Sequence, residues 1–162
     1  AYERSGGSAL VASLHRGVGD ICDKGARVLR ENAGEYAAVP PRTVRYFALF
    51  KSTQKALAFR CLGEEAEAKG EIGLAVGYLQ RALYTMDNAR ISATSSGDAD
   101  WAECCAAAMG PLKEKGDYLE NENRTVHFNA PVPKELPKLP DGRTMVTPLV
   151  FEPKVLDQDL LF

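Results

Sequence analysis

The sequence predicts an all-α fold, antiparallel long helices followed by an extended proline-rich strap, and three observations carry that expectation. Apolar residues recur at three- and four-residue steps through most of residues 7 to 123, the spacing that lines one face of a helix. Pro40-Pro41, Gly70 and a polar loop at Thr94–Asp98 divide the pattern into lengths suited to single helices. Six of the nine prolines then gather between Pro131 and Pro153, where they exclude a long helix or a central strand.

The first helix is expected within residues 7 to 38, where Leu10, Leu14, Val18, Ile21, Gly25 and Val28 form one stripe. Pro40-Pro41 is expected to stop it, because the residue before a proline avoids helical dihedrals. Pro41 suits an early position of the second helix, expected to reach about Lys69 with Phe47, Phe50, Leu57, Cys61 and Leu62 on its apolar face. Gly70 marks a tight turn. The third helix, about 71 to 92, has the cleanest stripe: Ile72, Ala75, Val76, Leu79, Ala82, Leu83 and Met86. Asp98 or Asp100 is expected to cap the fourth helix. That helix should turn Trp101, Cys104, Cys105, Ala108, Leu112 and Leu119 inward, with a kink or break at Pro111.

Helices are thus expected over 7–123 and a strap over 124–162. Val132, Leu136, Leu139, Met145, Val146, Leu149, Val150 and Phe151 alternate with the prolines and argue against a solvated tail. An extended segment laid along the helical body satisfies both facts. Phe59, Leu62, Gly63, Ala66, Ala75, Leu79 and Ala82 match the spacing of one tetratricopeptide unit, in which small residues let two antiparallel helices approach. No second copy follows at that period, so a regular array is not expected.

With 162 residues, 45% hydrophobic and 26% charged, the chain suits one globular domain. A net charge of −2 gives no overall pull towards nucleic acid or anionic membrane. No apolar run approaches the roughly 18 to 20 residues that cross a bilayer. Ala1-Tyr2-Glu3-Arg4-Ser5 lacks the charged head and apolar core of a secretory signal, and a start at Ala1 rather than Met leads us to expect a fragment. Cys22, Cys61, Cys104 and Cys105 form no C-x-x-C spacing, and free thiols in a reducing compartment are expected.

Catalytic signals are poor, and no cofactor or metal is expected. His15 and His127 lie in no metal or nucleophile motif, and His15 reads as a partly exposed helix residue. Gly17-Val18-Gly19 fails as a dinucleotide fingerprint, with no third glycine and no preceding strand. Asn123-Arg124-Thr125 matches a glycosylation acceptor only formally. Glu64, Glu65 and Glu67 read as a solvated face. Arg42, Arg45, Lys51, Lys55 and Arg60 occupy a stretch without acids, which would meet anionic lipid or an acidic partner only if they shared a face; a plain helix surface is the simpler reading.

Two stretches carry a family resemblance. Residues Ala66-Glu67-Ala68-Lys69-Gly70-Glu71-Ile72-Gly73-Leu74-Ala75-Val76-Gly77-Tyr78-Leu79-Gln80-Arg81-Ala82 resemble the helix pair of ALIX-type Bro domains, with its "LQ-basic-A" ending. Asn121-Glu122-Asn123-Arg124-Thr125-Val126-His127-Phe128, followed by Pro131-Val132-Pro133-Lys134-Glu135-Leu136-Pro137, resembles that family's exit from the helix into an aromatic strand and Val-Pro turn. A full Bro domain is more than twice as long, so the chain would be its C-terminal part.

The resemblance implies a curved helical body, without enzymatic activity, whose apolar patch binds the C-terminal amphipathic helix of an ESCRT-III subunit. It further implies a cytoplasmic adaptor, peripheral to the endosome and its membrane; no nucleic-acid partner is expected, because aromatic residues are few and not interleaved with the basic ones. Aligned from Leu79-Gln80-Arg81-Ala82, the patch falls on Leu14 and Val18, with Leu10 and Ile21 completing the groove. The alternative for Leu14 and Val18 is burial against the neighbouring helix. The position of a phosphorylatable tyrosine in several relatives is held here by His127 or Phe128, so that regulation is not implied. A half-domain would also leave apolar surface open to self-association. A generic tetratricopeptide-like interaction domain with an unrelated peptide partner is the second reading, and an enzyme the last.

Overall fold

A computed structural model describes residues 5–34 and 38–146, with side chains from Gly7 onward. Among these residues there are four helices and no strand: α1 (Ser5–Glu31), α2 (Pro41–Ala68), α3 (Ile72–Ser95) and α4 (Ala99–Thr125).

Successive helices run in opposite directions. His15, Asp23 and Gly25 of α1 meet Gln54, Lys51 and Phe47 of α2 in descending order. In the same way Gln80 and Leu83 of α3 meet Glu120 and Gly116 of α4. Across α3, α2 touches α4 in parallel, through Arg42–Asp98, Tyr46–Trp101 and Glu67–Lys115.

Local chemistry sets the helix ends. Pro41 opens α2 at a position where its missing N–H costs nothing. Gly70 takes a left-handed φ of 77°, so that the Glu71 amide donates to the Ala66 carbonyl and the Gly70 amide to that of Glu67. Gly97, φ 76°, closes α3 by the same pair of bonds, Asp98 to Ala93 and Gly97 to Thr94. The third helix therefore runs three residues past 92, and the loop shrinks to 96–98.

One expectation about helix limits fails and one is narrowed. The first helix stops at Glu31, well short of Pro40, where the Asn32 amide and side chain both donate to the Val28 carbonyl. The fourth is continuous through Pro111 with no break. Ala107 and Pro111 both face solvent, so the carbonyl that proline leaves unbonded is open to water.

The core centres on α3, where Ile72, Ala75, Val76, Leu79, Ala82 and Met86 are buried as their stripe predicts, with Leu83 half-buried against them. Two readings of inward faces need correction. In α2 the buried residues are Leu49, Ala56, Ala58, Phe59, Gly63 and Ala66, while Phe47, Phe50, Leu57, Cys61 and Leu62 are only half-buried. That helix lies between α1 and α3, so small residues take the closest approaches on two sides. In α4, Cys105, Leu112 and Leu119 face inward, but Cys104 is exposed. Trp101 packs at the rim, edge-on to Tyr46 and Phe50.

Beyond α4 the chain turns through Phe128 and Asn129, both with left-handed φ. It then runs to Val146 without helix or strand. Leu136 and Leu139 pack on the core. The segment passes so close to α3 that a Cβ at Gly73 would overlap the Pro131 carbonyl, and one at Gly77 the Leu136 side chain. It reaches α1, where a Cβ at Gly17 would overlap the Arg143 carbonyl and the Arg143 amide donates to Ser13 (2.9 Å). The remainder of the expected strap, 147–162, lies outside the described residues.

Candidate functional site

The α1 helix is the most clearly amphipathic of the four, yet it gives no residue to the central apolar cluster. The residues it buries are all small: Ala12, Ser13, Gly17, Gly19, Cys22 and Ala26. Ala12, His15, Gly19, Cys22 and Ala26 recur at alternating three- and four-residue steps, which puts them on one face. That face meets α2: His15 Nδ1 lies 2.6 Å from Gln54 Oε1 and Gly19 lies against Lys51. Small side chains let α1 sit close to its neighbour and leave its larger ones elsewhere.

Those larger residues are the ones the sequence singled out. Leu10 is 40% exposed and Ile21 53%, while Leu14 and Val18 are half-buried. At positions 10, 14, 18 and 21 they share one edge of α1, and exposed Val28 extends the line. A row of aliphatic side chains at this spacing is the kind of surface a partner helix can contact.

The candidate chemical groups stand apart along the described chain. His127 stands 3.7 Å from Glu122 at the end of α4, far along the chain from any cysteine. Burial pushes the thiols of Cys22, Cys61 and Cys105 up, with Asp23, Glu64 and Cys104 adding to it in turn, the opposite of what activates a nucleophile. All four cysteines are free, and no cluster of three or more metal-ligating side chains occurs among the described residues. Gly17-Val18-Gly19 stands in the middle of α1, where Gly17 makes room for the Arg143 backbone.

Three polar motifs also resolve. Asn123 is 8% exposed, and its side-chain amide donates to the Ala130 carbonyl, so the formal glycosylation acceptor is buried against the chain that follows α4. The acidic group in α2 is a partly solvated face whose charges are all paired. Glu64 pairs with Arg60, Glu65 with Lys69 and Glu67 with Lys115, and the Glu65 side chain is only 13% exposed. The basic residues of α2 do not form one patch either, since Arg42 pairs with Asp98, Lys51 with Asp23 and Arg60 with Glu64. No described helix is long and apolar enough to cross a membrane.

Sequence reasoning missed the glycines that receive the segment after α4. Gly73 and Gly77, four apart within the cleanest apolar stripe, were the available signal for a close crossing. No protein-family model matches the chain, and no curated protein matches it.

Proposed function

We propose that the chain is a non-enzymatic adaptor module of the ALIX-type Bro kind, whose α1 edge docks an amphipathic helix of an ESCRT-III subunit at the endosomal surface. What supports this reading above all is the division of labour on α1: small residues take the contacts with α2 and with the crossing segment, while Leu10 and Ile21 stay exposed with Leu14 and Val18 half-buried beside them. On this reading α2 and α3 form a tetratricopeptide-like hairpin, with Gly63 set against Leu79. The chain after α4 is the strap that braces it, and the whole is the C-terminal part of a larger domain. The same hairpin favours the second reading, a generic interaction domain with an unrelated peptide partner.

The test is titration of a synthetic ESCRT-III C-terminal helix against the wild-type chain and Leu10→Asp, Leu14→Asp, Val18→Asp and Ile21→Asp, with helicity followed by circular dichroism. Truncating a central anchor in such contacts costs about 2 kcal/mol or more, so affinity should fall roughly thirtyfold while helicity holds. Leu10 and Ile21 are exposed enough to carry a charge without unfolding α1, which keeps the test decisive if Leu14→Asp or Val18→Asp unfolds. Wild-type affinity in folded Leu10→Asp and Ile21→Asp variants would remove α1 as the docking edge. No binding by the wild-type chain would leave the generic domain as the better reading.

A further inference from the structure

A second feature lies away from the apolar edge and has opposite chemistry. A cavity of about 820 Å³ opens between the outer surfaces of α2 and α3 and residues 134–141 of the extended segment, with Arg16 of α1 at one end. Five cationic side chains line it, Arg16, Lys55, Arg81, Lys134 and Lys138, against two acids, Glu135 and Asp141. The chain as a whole carries −2, so this excess of positive charge is local.

Among the described residues most of the cations are not held in an ion pair. Arg16 is held by Asp20 at 3.2 Å, but Lys55, Arg81, Lys134 and Lys138 make no ion pair among the described residues. Arg81 lies 6.0 Å from the Tyr84 ring centre, a contact that leaves its charge intact. Like charges facing one concave space repel one another, and concave walls focus their field on whatever enters.

The hydrogen-bonding inventory narrows the ligand. Ser52 and Thr85 line the cavity but spend their hydroxyl protons on the Ala48 and Arg81 carbonyls, at 3.1 and 2.7 Å. The side-chain donors left are the ammonium and guanidinium groups, the Asn88 amide and the Tyr84 hydroxyl, a set dominated by cations that suits a ligand rich in charged acceptor oxygens. Phe59, Leu136 and Leu139 give the same cavity apolar wall against which a ring can rest. Its volume is that of a small-molecule site, and walls on three sides make it a cup rather than a track for a polymer.

We propose that this cup binds a small molecule bearing several phosphate groups, either free in solution or as the head group of a phospholipid. Two of its unpaired cations, Lys134 and Lys138, belong to the extended segment, and two, Lys55 and Arg81, to the helices beneath. A polyphosphate bridging both sets fastens the segment to the helical layer. Binding and segment docking are thereby one equilibrium.

Inositol hexakisphosphate titrated calorimetrically into the full chain at low ionic strength is the direct probe, with inorganic phosphate for comparison. The hexakisphosphate should bind, weaken with added salt, and slow proteolysis within residues 130–143. The paired variant Lys55→Glu/Arg81→Glu should lose affinity at least about tenfold, and so should Lys134→Glu/Lys138→Glu, with circular dichroism unchanged. Lys113→Glu, an exposed cation on α4 outside the cup, should bind as wild type. Co-sedimentation with phosphatidylcholine vesicles containing a few per cent phosphatidylinositol bisphosphate, competed by the free ligand, identifies the head group as the source. Binding of the hexakisphosphate without vesicle association identifies a soluble ligand. No affinity beyond that for inorganic phosphate overturns the proposal, as does an equal loss in Lys113→Glu or an undiminished affinity in both paired variants.

Discussion

Asp98 serves three helices at once. Its amide closes the turn that ends α3, its carboxylate accepts the Trp101 amide at the start of α4 (3.4 Å), and the same carboxylate meets Arg42 of α2 through two bonds of 3.2 Å. The hydrogen bond from Arg42 holds the Asp98 carboxyl below its ordinary value. A carboxyl depressed by folding stabilises the native state above the unfolded-state value, and loses that contribution as pH falls through its lowered one. Asp98→Ala should therefore lower the thermal midpoint at neutral pH. The gap to wild type should close as the medium is acidified below the ordinary aspartate range. Arg42→Ala should reproduce only part of the loss, because the cap on Trp101 survives. Thermal unfolding by circular dichroism across that pH series measures it, and a gap that stays constant into acid would assign the effect to something other than the carboxylate. The sequence offered Asp98 and Asp100 equally as caps. Nothing in it showed that the first also bonds an arginine 56 positions away.

At the scale of elements, the extended segment seats itself by backbone approach rather than by side-chain interlock. Gly73 and Gly77 on α3 and Gly17 on α1 are the points of passage, and each lacks a Cβ where one would overlap the segment. Gly73→Val should push Pro131 outward at a cost of about 1–3 kcal/mol, the usual penalty for overpacking. Residues 130–143 should then become sensitive to protease while helicity is kept. A variant as resistant as wild type would mean that the segment adjusts freely there. The helices themselves were largely legible, because a stripe such as Ile72–Met86 and a terminator such as Gly70 are local signals. Burial on α2 was less so: a helix contacted on two sides hides small residues such as Ala56 and Gly63, which hydrophobic pattern alone does not mark. The candidate docking edge was legible as a stripe on α1, but not that its large residues would stay open while Ala12, Gly19 and Cys22 were buried. The basic cup was not legible at all. Its cations come from all three of α1, α2 and α3 and from a segment distant in sequence, and charge has no period that announces a tertiary neighbour.

Taken whole, the molecule is a layer in which each helix packs on its predecessor in sequence, crossed afterwards by the chain that follows α4. The apolar edge of α1 lies at one margin of that layer. An edge of this kind drives association, so sedimentation velocity should show concentration-dependent self-association, reduced in the Leu10→Asp/Ile21→Asp variant. An ideal monomer at every concentration, with the variant indistinguishable from it, would show that the edge is too small to self-associate. The bond from Arg143 to Ser13 ties a residue near the start of the first helix to one beyond the last. On a ribosome adding roughly 5–20 residues per second, α1 waits on the order of ten seconds for the residues that will cross it. The four helices can assemble during that interval through neighbouring contacts, whereas the crossing closes only after synthesis has passed residue 143. Until then the Ser13 carbonyl is left to water and the basic cup lacks the wall that residues 134–141 supply. The cup is in this sense a timestamp, complete only in a chain whose synthesis has passed the segment that crosses α1.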